Sequence, residues 1–570
     1  MFATWTRDRR PIVVPAGAVE SAPFSVAAAV RLDNRLALCR ALQLSVSEAL
    51  TDEQLILQAY VRWGDRCCDY LLGAYSFVIW DESSSTLFCA RDHVGCMPFY
   101  YSLTPGSFVF GTCIEDVLAC ETVCCDLDER FVRTRLANVN YVDNERTFYS
   151  AVRKLPAGHT LTVSPQQAQV KRYWFPENSP QRSFATDDDC VDALVALLQT
   201  VIDEQLTSPA RVGVHLTGGL DSSTVAALAT QILGNHNRSL PLAYCWLPPP
   251  GGESPAAEHS LLEQVRSQLD LTLRFQQLTG NDLKVGLARD LTLLPAAAML
   301  FQEQLVMHQA QQDNIQILLS GWGGDELISF GGRGHYANLL RSGQWRRLWQ
   351  ESQAVSSDPF RHILYKGIFP QCLWLQQMHQ WLTTTRRRRP LTHYLHPDFV
   401  HQVKPYQNRP LRYLSVRQSQ LALLDNGHLS ERIEAWATLG KRYNITYRYP
   451  LLDKRIIEFA LGLPPEMFYR EKQNRWLMRH AAAKLLPHSV AWNVDKSDPI
   501  RVASLKAALH EAFLEIGQQI QTQTISPSRA SYLDMPRLLG DLSGDLSADS
   551  SAYEASGLRL MSQTLLFLDF

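Results

Sequence analysis

The segment Val212-Gly213-Val214-His215-Leu216-Thr217-Gly218-Gly219-Leu220-Asp221-Ser222-Ser223 limits the possible fold more than any other stretch of the chain. A short apolar run delivers the backbone to Thr217, two glycines come next, and a helix-forming stretch runs from Ser222 to Leu233. Residues without a Cβ let the backbone approach an anion, and a helix that starts there aims its free N–H groups and positive dipole end at that anion. The segment therefore reads as a phosphate cradle made by Thr217, Gly218, Gly219, Leu220, Asp221, Ser222 and Ser223. It has neither the lysine of a Walker A loop nor the spacing of a dinucleotide fingerprint, so neither of those nucleotide modes applies. A glycine pair alone equally suits a tight strand-to-helix turn with no ligand.

A second segment of the same design shifts that balance. Ile317-Leu318-Leu319-Ser320-Gly321-Trp322-Gly323-Gly324-Asp325-Glu326 is again a strand, then a glycine turn, now ending in two carboxylates. Asp221 and Asp325 are each expected at the carboxyl end of a strand. Two carboxylates meeting beside a phosphate suit Mg2+, a hard ion that binds through one or two carboxylates plus phosphate oxygens. Around these segments strands and helices alternate: Val212–Leu216 then 222–233, Leu242–Leu247 then 256–269, and Ile315–Leu319. This alternation predicts a parallel sheet covered by helices, with ligands at the carboxyl ends of its strands.

The first 170 or so residues show another pattern. Gly73 to Asp81 is a near-continuous apolar strand, Glu82-Ser83-Ser84-Ser85 a turn, and Thr86 to Ala90 a second strand, which together predict a hairpin. Asp52 to Trp63 has helical spacing, with Thr51 as cap and Gln54 three residues on. Pro176 to Asp189 is rich in Pro, Ser, Asn and Asp and precedes a predicted helix from Cys190 to Leu206, so the domain boundary is expected there. Gly540 to Gly557, rich in Ser, Asp and Gly, reads as a loop.

Composition removes several function classes. Lys+Arg 55 against Asp+Glu 57 leaves no global basicity for sequence-independent nucleic-acid binding. No apolar run reaches the roughly 18 residues of a membrane span, and Met1 to Arg10 lacks the apolar stretch of a signal peptide, so a soluble cytoplasmic protein is expected. Of the 12 cysteines, adjacent pairs such as Cys67-Cys68 and Cys124-Cys125 are poorly spaced for bridging to each other. No paired His or second Cys pair completes a zinc pattern around Cys120, Cys124 and Cys125, so reduced core or surface thiols are expected.

The two glycine-turn segments, together with motifs nearer the carboxyl end, resemble the asparagine synthetase family of ATP pyrophosphatases, whose Ser-Gly-Gly-Leu-Asp-Ser-Ser loop holds the pyrophosphate. Thr217 replaces the first Ser and keeps its hydroxyl. Arg448-Tyr449-Pro450-Leu451-Leu452-Asp453 is similar to that family's Arg-x-Pro-Phe-Leu-Asp, and Leu477-Met478-Arg479 through Leu486-Pro487 to Lys496 is similar to its late helix, Pro and lysine. Arg31-Leu32-Asp33-Asn34-Arg35, Trp63-Gly64, Arg91 to Tyr100 and Leu155-Pro156-Ala157-Gly158-His159 resemble the family's glutaminase domain. For Arg91, Asp92 and Gly95 a salt-bridged turn is the preferred reading.

The resemblance implies an α/β and α+β chain of two domains. Residues 1–175 would form an Ntn-type glutaminase-like αββα sandwich, and residues 186–570 a parallel α/β sheet of the ATP-pyrophosphatase type with added helices. It further implies ATP and Mg2+, with the 217–223 loop and Gly321 on the nucleotide, Asp221 and Asp325 on the metal, and Lys496 with Asp325 in catalytic roles. Lys496 would stabilise the adenylate phosphate or the tetrahedral intermediate, so Lys496→Ala is expected to abolish turnover with the fold intact.

Two departures narrow this expectation. Glutamine-using members carry Cys after the initiator Met, where the thiolate attacks the amide; here the residue is Phe2, and the first cysteine is Cys39. No glutaminase activity is expected. At Trp322, asparagine-forming relatives carry Glu and β-lactam-forming relatives Tyr; an indole N–H is a donor only, while its flat face can pack on an apolar or peptide substrate or simply fill space.

The branch of the family with an inactive glutaminase-like domain that this chain resembles is the lasso peptide cyclases. That resemblance implies a macrolactam synthetase that adenylates an Asp or Glu side chain of a ribosomal precursor peptide, for attack by the amino terminus a leader peptidase has freed. The alternatives are an amide or β-lactam synthetase on a small amino acid derivative, an asparagine synthetase-like enzyme, or a scaffold without catalysis. Neither nucleic acid nor membrane is an expected partner. The aromatic stretch Phe360 to Trp381 reads as an amphipathic core helix or, less favoured, a peptide-pocket lining, and Arg386 to Arg389 as a solvated loop or acidic-partner contact.

Overall fold

In the computed structural model the described residues are 2–6, 9–13, 19–44, 50–104, 107–137, 142–247, 249–250, 256–287, 300–372, 374, 393–400, 414–494, 499–522, 527–543, 564–565 and 567–568. Arg386 to Arg389, Trp381 and Lys496 lie outside them.

The amino-terminal part is two antiparallel sheets. One has the order β2-β1-β8-β7-β9, from Phe2–Thr6 (β1), Arg9–Val13 (β2), Tyr100–Thr104 (β7), Ser107–Gly111 (β8) and Arg153–Lys154 (β9). The other runs β11-β10-β6-β5-β4-β3, from Val19–Ser21 (β3), Phe24–Leu32 (β4), Gly73–Asp81 (β5), Thr86–Arg91 (β6), His159–Val163 (β10) and Ala168–Arg172 (β11).

Side-chain alternation along β5 and β6 explains the layering. Val78, Leu87 and Cys89 point into a core with Phe108, Phe110 and Leu161 between the sheets. Phe77, Ile79, Phe88 and Ala90 point the other way, onto Leu55, Ile56 and Ala59 of the helix Asp52–Trp63. That helix starts with the expected reciprocal cap: Gln54 N–H donates to the Thr51 hydroxyl, and Thr51 N–H to the Gln54 side chain, a motif worth about 1 kcal/mol. Near β7 and β8, Val109 and Tyr100 pack with the helices Ile114–Leu118 and Glu129–Ala137, completing an αββα arrangement.

The carboxy-terminal part is built on a parallel sheet of order β14-β13-β12-β15-β16, from Val212–His215 (β12), Leu242–Cys245 (β13), Thr272–Phe275 (β14), Ile317–Leu319 (β15) and Thr446–Arg448 (β16). β12 pairs in parallel with β13 on one side and β15 on the other. The strand order reverses at this point, where open α/β sheets form a crevice for ligands.

Three sequence expectations shift. The helix expected from Cys190 runs Asp187–Gln205, because Thr186 caps it with Asp189 three residues on. The stretch expected as a loop from Gly540 begins inside the helix Met535–Ser543, whose Leu538 and Leu542 are buried. Of the stretch 360–381 expected as a core helix, residues 360–372 and 374 are described: helical turns run without a gap over Pro359–Ile363, Leu364–Ile368 and Phe369–Gln371, but Phe360 and Trp374 are largely exposed and not in the core.

One continuous core spans both parts: Val94, Tyr100, Phe131 and Phe148 share it with Leu194, Val214 and Leu439. At the junction Glu434, on the helix His428–Tyr443, is buried between Arg91 Nη2 at 2.8 Å and Lys154 Nζ at 3.5 Å. Arg91 also donates to the carbonyls of Gly95, Met97 and Leu155, while Asp92 accepts from the backbone N–H groups of Gly95, Cys96 and Met97. This is the structural turn preferred from the sequence, with its ionic partner supplied by the other domain.

Candidate active site

The chain leaves β12 through Gly218, whose φ of 68° suits glycine and strains a residue with a Cβ. Gly219 is the N-cap of the helix Leu220–Asn235 and, lacking a side chain, supplies no cap hydrogen bond to its first turn. An anion there would meet both the first-turn N–H donors and the dipole. Beside them the Thr217 and Ser222 hydroxyls lie 3.0 Å apart, Gly219 N–H donates to Thr217 Oγ1 at 3.4 Å, and the Ser223 hydroxyl is buried with no hydrogen-bond partner among the described residues.

Asp221 does not sit on the strand end. It is the second residue of the helix, since helical geometry already begins at Leu220, and a carboxylate in a first turn is favoured by the dipole.

The loop after β15 lies directly on this turn. A Cβ on Gly321 would fall 2.7 Å from the Ser222 nitrogen and 2.9 Å from the Asp221 carbonyl carbon, so glycine is required by close approach. A Cβ on Gly324 would fall 2.8 Å from Asp221 Cγ. Ser320 N–H donates to Arg448 O at 3.0 Å, tying the loop to the end of β16. Asp221 and Asp325, about a hundred residues apart in sequence, are thereby brought together.

What joins them is a residue that the sequence alone does not single out. Arg475 ion-pairs with Asp325 and reaches Asp221 Oδ2 at 3.8 Å, with only 12% of its side chain exposed. It precedes the helix Trp476–Ala483 at φ 59°, an uncommon conformation for a residue with a Cβ, and its N–H donates to Phe468 O at 2.7 Å. A lone arginine before a predicted helix carries no signal of this role.

The donor set fits Mg2+. Two carboxylates already hold a cationic group between them, and Mg2+ takes only one or two carboxylates from a protein. The remaining ligands would come from phosphate and water, the usual arrangement for this ion.

Trp322 is half-buried and does two things at once. It packs edge-on against Trp436 at 5.5 Å, with the Arg432 guanidinium 5.4 Å from its ring and His428 at 6.3 Å, while its N–H is buried with no acceptor among the described residues. Behind it, burial first and then the Arg432 charge push His215 down to about 3, so its ring is neutral beside Tyr447, whose hydroxyl is 2.9 Å from Nε2. Farther along, Arg479 donates to the carbonyls of Asn474, Ala491 and Asn493 at 2.9, 2.9 and 3.0 Å, fixing the chain just before the segment that carries Lys496.

The asparagine synthase family matches residues 193–556 and the glutamine amidotransferase domain residues 35–174. The chain belongs to the asparagine synthase family, and so to the ATP-dependent ligases that form AMP and pyrophosphate. It is 25% identical over 461 residues to the glutamine-hydrolyzing asparagine synthetase 3 of Bacillus subtilis (strain 168), covering 78% of this chain and 70% of that one. Asparagine synthetase 1 of the same organism is 21% identical over 491 residues, 83% of this chain and 75% of its own. The amidase chyE of Penicillium rubens is 26% identical over 200 residues, 34% of this chain and 29% of its own. A solved glutamine phosphoribosylpyrophosphate amidotransferase from B. subtilis covers 46% of this chain and 73% of its own at 12% identity, with a TM-score of 0.22 that carries nothing for the fold. Among the described residues no helix is long and apolar enough to cross a membrane.

Proposed function

We propose that this protein closes a macrolactam ring on a ribosomal precursor peptide, as lasso peptide cyclases do. The observation that carries the carboxyl-activation part is the meeting of Asp221 and Asp325 beside the uncapped helix start. A substrate Asp or Glu carboxylate attacks the α-phosphorus of ATP, forming an acyl-adenylate and releasing pyrophosphate. The peptide's amino terminus, freed by a leader peptidase, then attacks the acyl carbon; AMP leaves and the nitrogen gives up a proton, so an amide replaces the mixed anhydride.

Each local group has a task. First-turn N–H groups, with the Thr217, Ser222 and Ser223 hydroxyls, hold the pyrophosphate. Mg2+, when bound, neutralises charge on the leaving group. Asp221 and Asp325 would hold that ion, and Lys496 would supply positive charge at the adenylate.

Two features favour a peptide over ammonia as the nitrogen source. Cys68, Cys89 and Cys96 in the amidotransferase-like domain are driven well above the usual thiol range by burial, and Phe2 carries no nucleophile. Trp322 places a flat indole where asparagine-forming relatives carry an acid.

The test is incubation of the full chain with ATP, Mg2+ and a leader-free candidate peptide, then mass spectrometry. Loss of one water from the peptide, matched to AMP formed, is the expected result. Peptide-independent pyrophosphate release with a small amino acid would instead favour an amide synthetase, and glutamate release from glutamine would sink the assignment of an inactive glutaminase.

A further inference from the structure

The helical stretch 359–371 turns its apolar side toward water. Phe360, Leu364 and Ile368 recur every fourth residue, a spacing that keeps them on one side of a helix. They and Tyr365 are between 38% and 75% exposed, whereas Pro359–Ile363 buries nothing and Leu364–Ile368 buries only Gly367. Phe360 is the most exposed large apolar side chain among the described residues. Its ring meets Trp349 edge-on at 4.8 Å, and Trp345, one turn earlier on the helix Trp345–Val355, is exposed as well, so the apolar surface runs across two elements. Single exposed apolar residues are ordinary, but a contiguous group marks an interaction site.

The charge around this surface is one-sided. Arg341 and Arg346 are exposed, and Arg361 and Lys366 stand exposed among the apolar residues themselves. The acids of the same region are engaged: Glu351 is held by His335 and Arg347, both at 2.7 Å, Glu466 accepts from Arg347 at 2.7 Å, and the Asp358 carboxylate accepts the Arg361 N–H at 3.0 Å. None of the four cations has a carboxylate within ion-pair distance among the described residues. Arg361 lies instead 5.7 Å from the centre of the Tyr365 ring.

We propose that this face rests on an anionic lipid surface. Phe360, Leu364 and Ile368 enter the boundary between headgroups and acyl chains, and Arg361 and Lys366 meet lipid phosphates. Apolar and aromatic residues flanked by Arg and Lys are the composition of helices that lie in a membrane interface, where long basic side chains keep their charge in the headgroup layer.

Three observations favour lipid over a protein partner. A phenylalanine three-quarters exposed stands out from the surface, whereas a docked helix needs a groove to lie in. The exposed parts of Trp345, Phe360, Leu364, Tyr365 and Ile368 come to on the order of 500 Å2, short of the roughly 800 Å2 that each partner gives a standard protein interface. A second copy of this chain would bring the same four cations against these, while anionic headgroups bring the opposite charge. The formal net charge of −2 does not oppose attachment, because a membrane's surface potential fades within a Debye length of about 8–10 Å and only the local cations feel it. Attachment is peripheral, and it stands whether or not the chain closes a ring, since none of these residues belongs to the phosphate loop or its partner loop.

The experiment is flotation of the full chain with vesicles of phosphatidylglycerol and phosphatidylethanolamine, beside vesicles of phosphatidylcholine alone. The chain should float with the anionic vesicles, stay behind with the neutral ones, and be released as salt is raised to about 0.5 M. Arg361→Gln combined with Lys366→Gln should weaken binding about 25-fold, at roughly fivefold per cation, and Phe360→Ser should weaken it at least about tenfold. Equal binding to neutral vesicles, no binding to the anionic ones, or unchanged binding in either variant overturns the proposal. Binding of an acidic amphipathic peptide without binding of vesicles would make this a protein-docking face and overturns it equally. If one variant does not fold, the other variant and the lipid comparison on the unaltered chain decide.

Discussion

Replacing Glu434 with Gln should loosen the junction between the two domains more than any surface change of equal size. Its carboxylate is 2% exposed and pairs with Arg91, 1% exposed, and Lys154, 8% exposed. Removing one partner of a buried ion pair costs about 3–5 kcal/mol, because the other charge stays buried without compensation. Here two cations are left. Arg91 keeps its bonds to the Gly95, Met97 and Leu155 carbonyls, which limits its loss, whereas Lys154 keeps no other ionic partner among the described residues that would offset its charge. We expect about 4 kcal/mol, a large share of the roughly 5–15 kcal/mol that holds a typical protein folded. A chain of this size need not unfold in two states, so the readout should be local: hydrogen exchange of segments 91–95 and 429–439, together with guanidinium denaturation. In a double-mutant cycle with Arg91→Met, the pair should cost at least 1 kcal/mol less than the sum of the singles. A cost below about 1 kcal/mol for Glu434→Gln, with unchanged exchange at both segments, would refute the reasoning.

Three further outcomes can be checked. Asp221→Asn and Asp325→Asn should each lower pyrophosphate release about 10²–10³-fold with an unchanged circular dichroism spectrum, if these carboxylates orient the metal; turnover within threefold of the parent would remove them from that role. Gly321→Ala places a Cβ 2.7 Å from the Ser222 nitrogen, so the backbone must give way: nucleotide binding measured by calorimetry should weaken at least about tenfold and stability should fall by about 1–3 kcal/mol, and unchanged binding would contradict the close approach. His215 has a folded value near 3, below the unfolded 6.5 or so. Its contribution is therefore complete above about pH 6.5 and lost on acidification toward 3, at a slope of about 1.4 kcal/mol per pH unit. His215→Phe should remove one proton's worth of that slope, and an identical acid limb would contradict it.

Much of this architecture can be read from the chain, for a physical reason. The β12 and β15 segments announce themselves because apolar runs, glycine turns and the helices after them are local patterns, and two similar patterns on neighbouring strands place their loops side by side. The reciprocal cap at Thr51 and Gln54 is likewise visible, since it is completed within four residues. Arg475 is not, because its importance comes from a left-handed backbone and from partners roughly 150 and 250 residues upstream. Glu434 gives no signal either: a glutamate on an amphipathic helix reads as solvent-facing until the second domain covers it. The aromatic run near Phe360 misleads by composition, since a helical stretch does form over 359–371 but Phe360 and Tyr365, with Trp374 beyond it, face outward.

Arg475 also sets an order of events. A divalent ion alone must compete with a guanidinium already lodged between the two aspartates, and carboxylates that are spoken for bind free metal poorly. Nucleotide phosphates offer Arg475 a rival anion, so their arrival can draw it aside and vacate the same oxygens. Metal and triphosphate should therefore load cooperatively, and an ion arriving without its nucleotide should find the door shut.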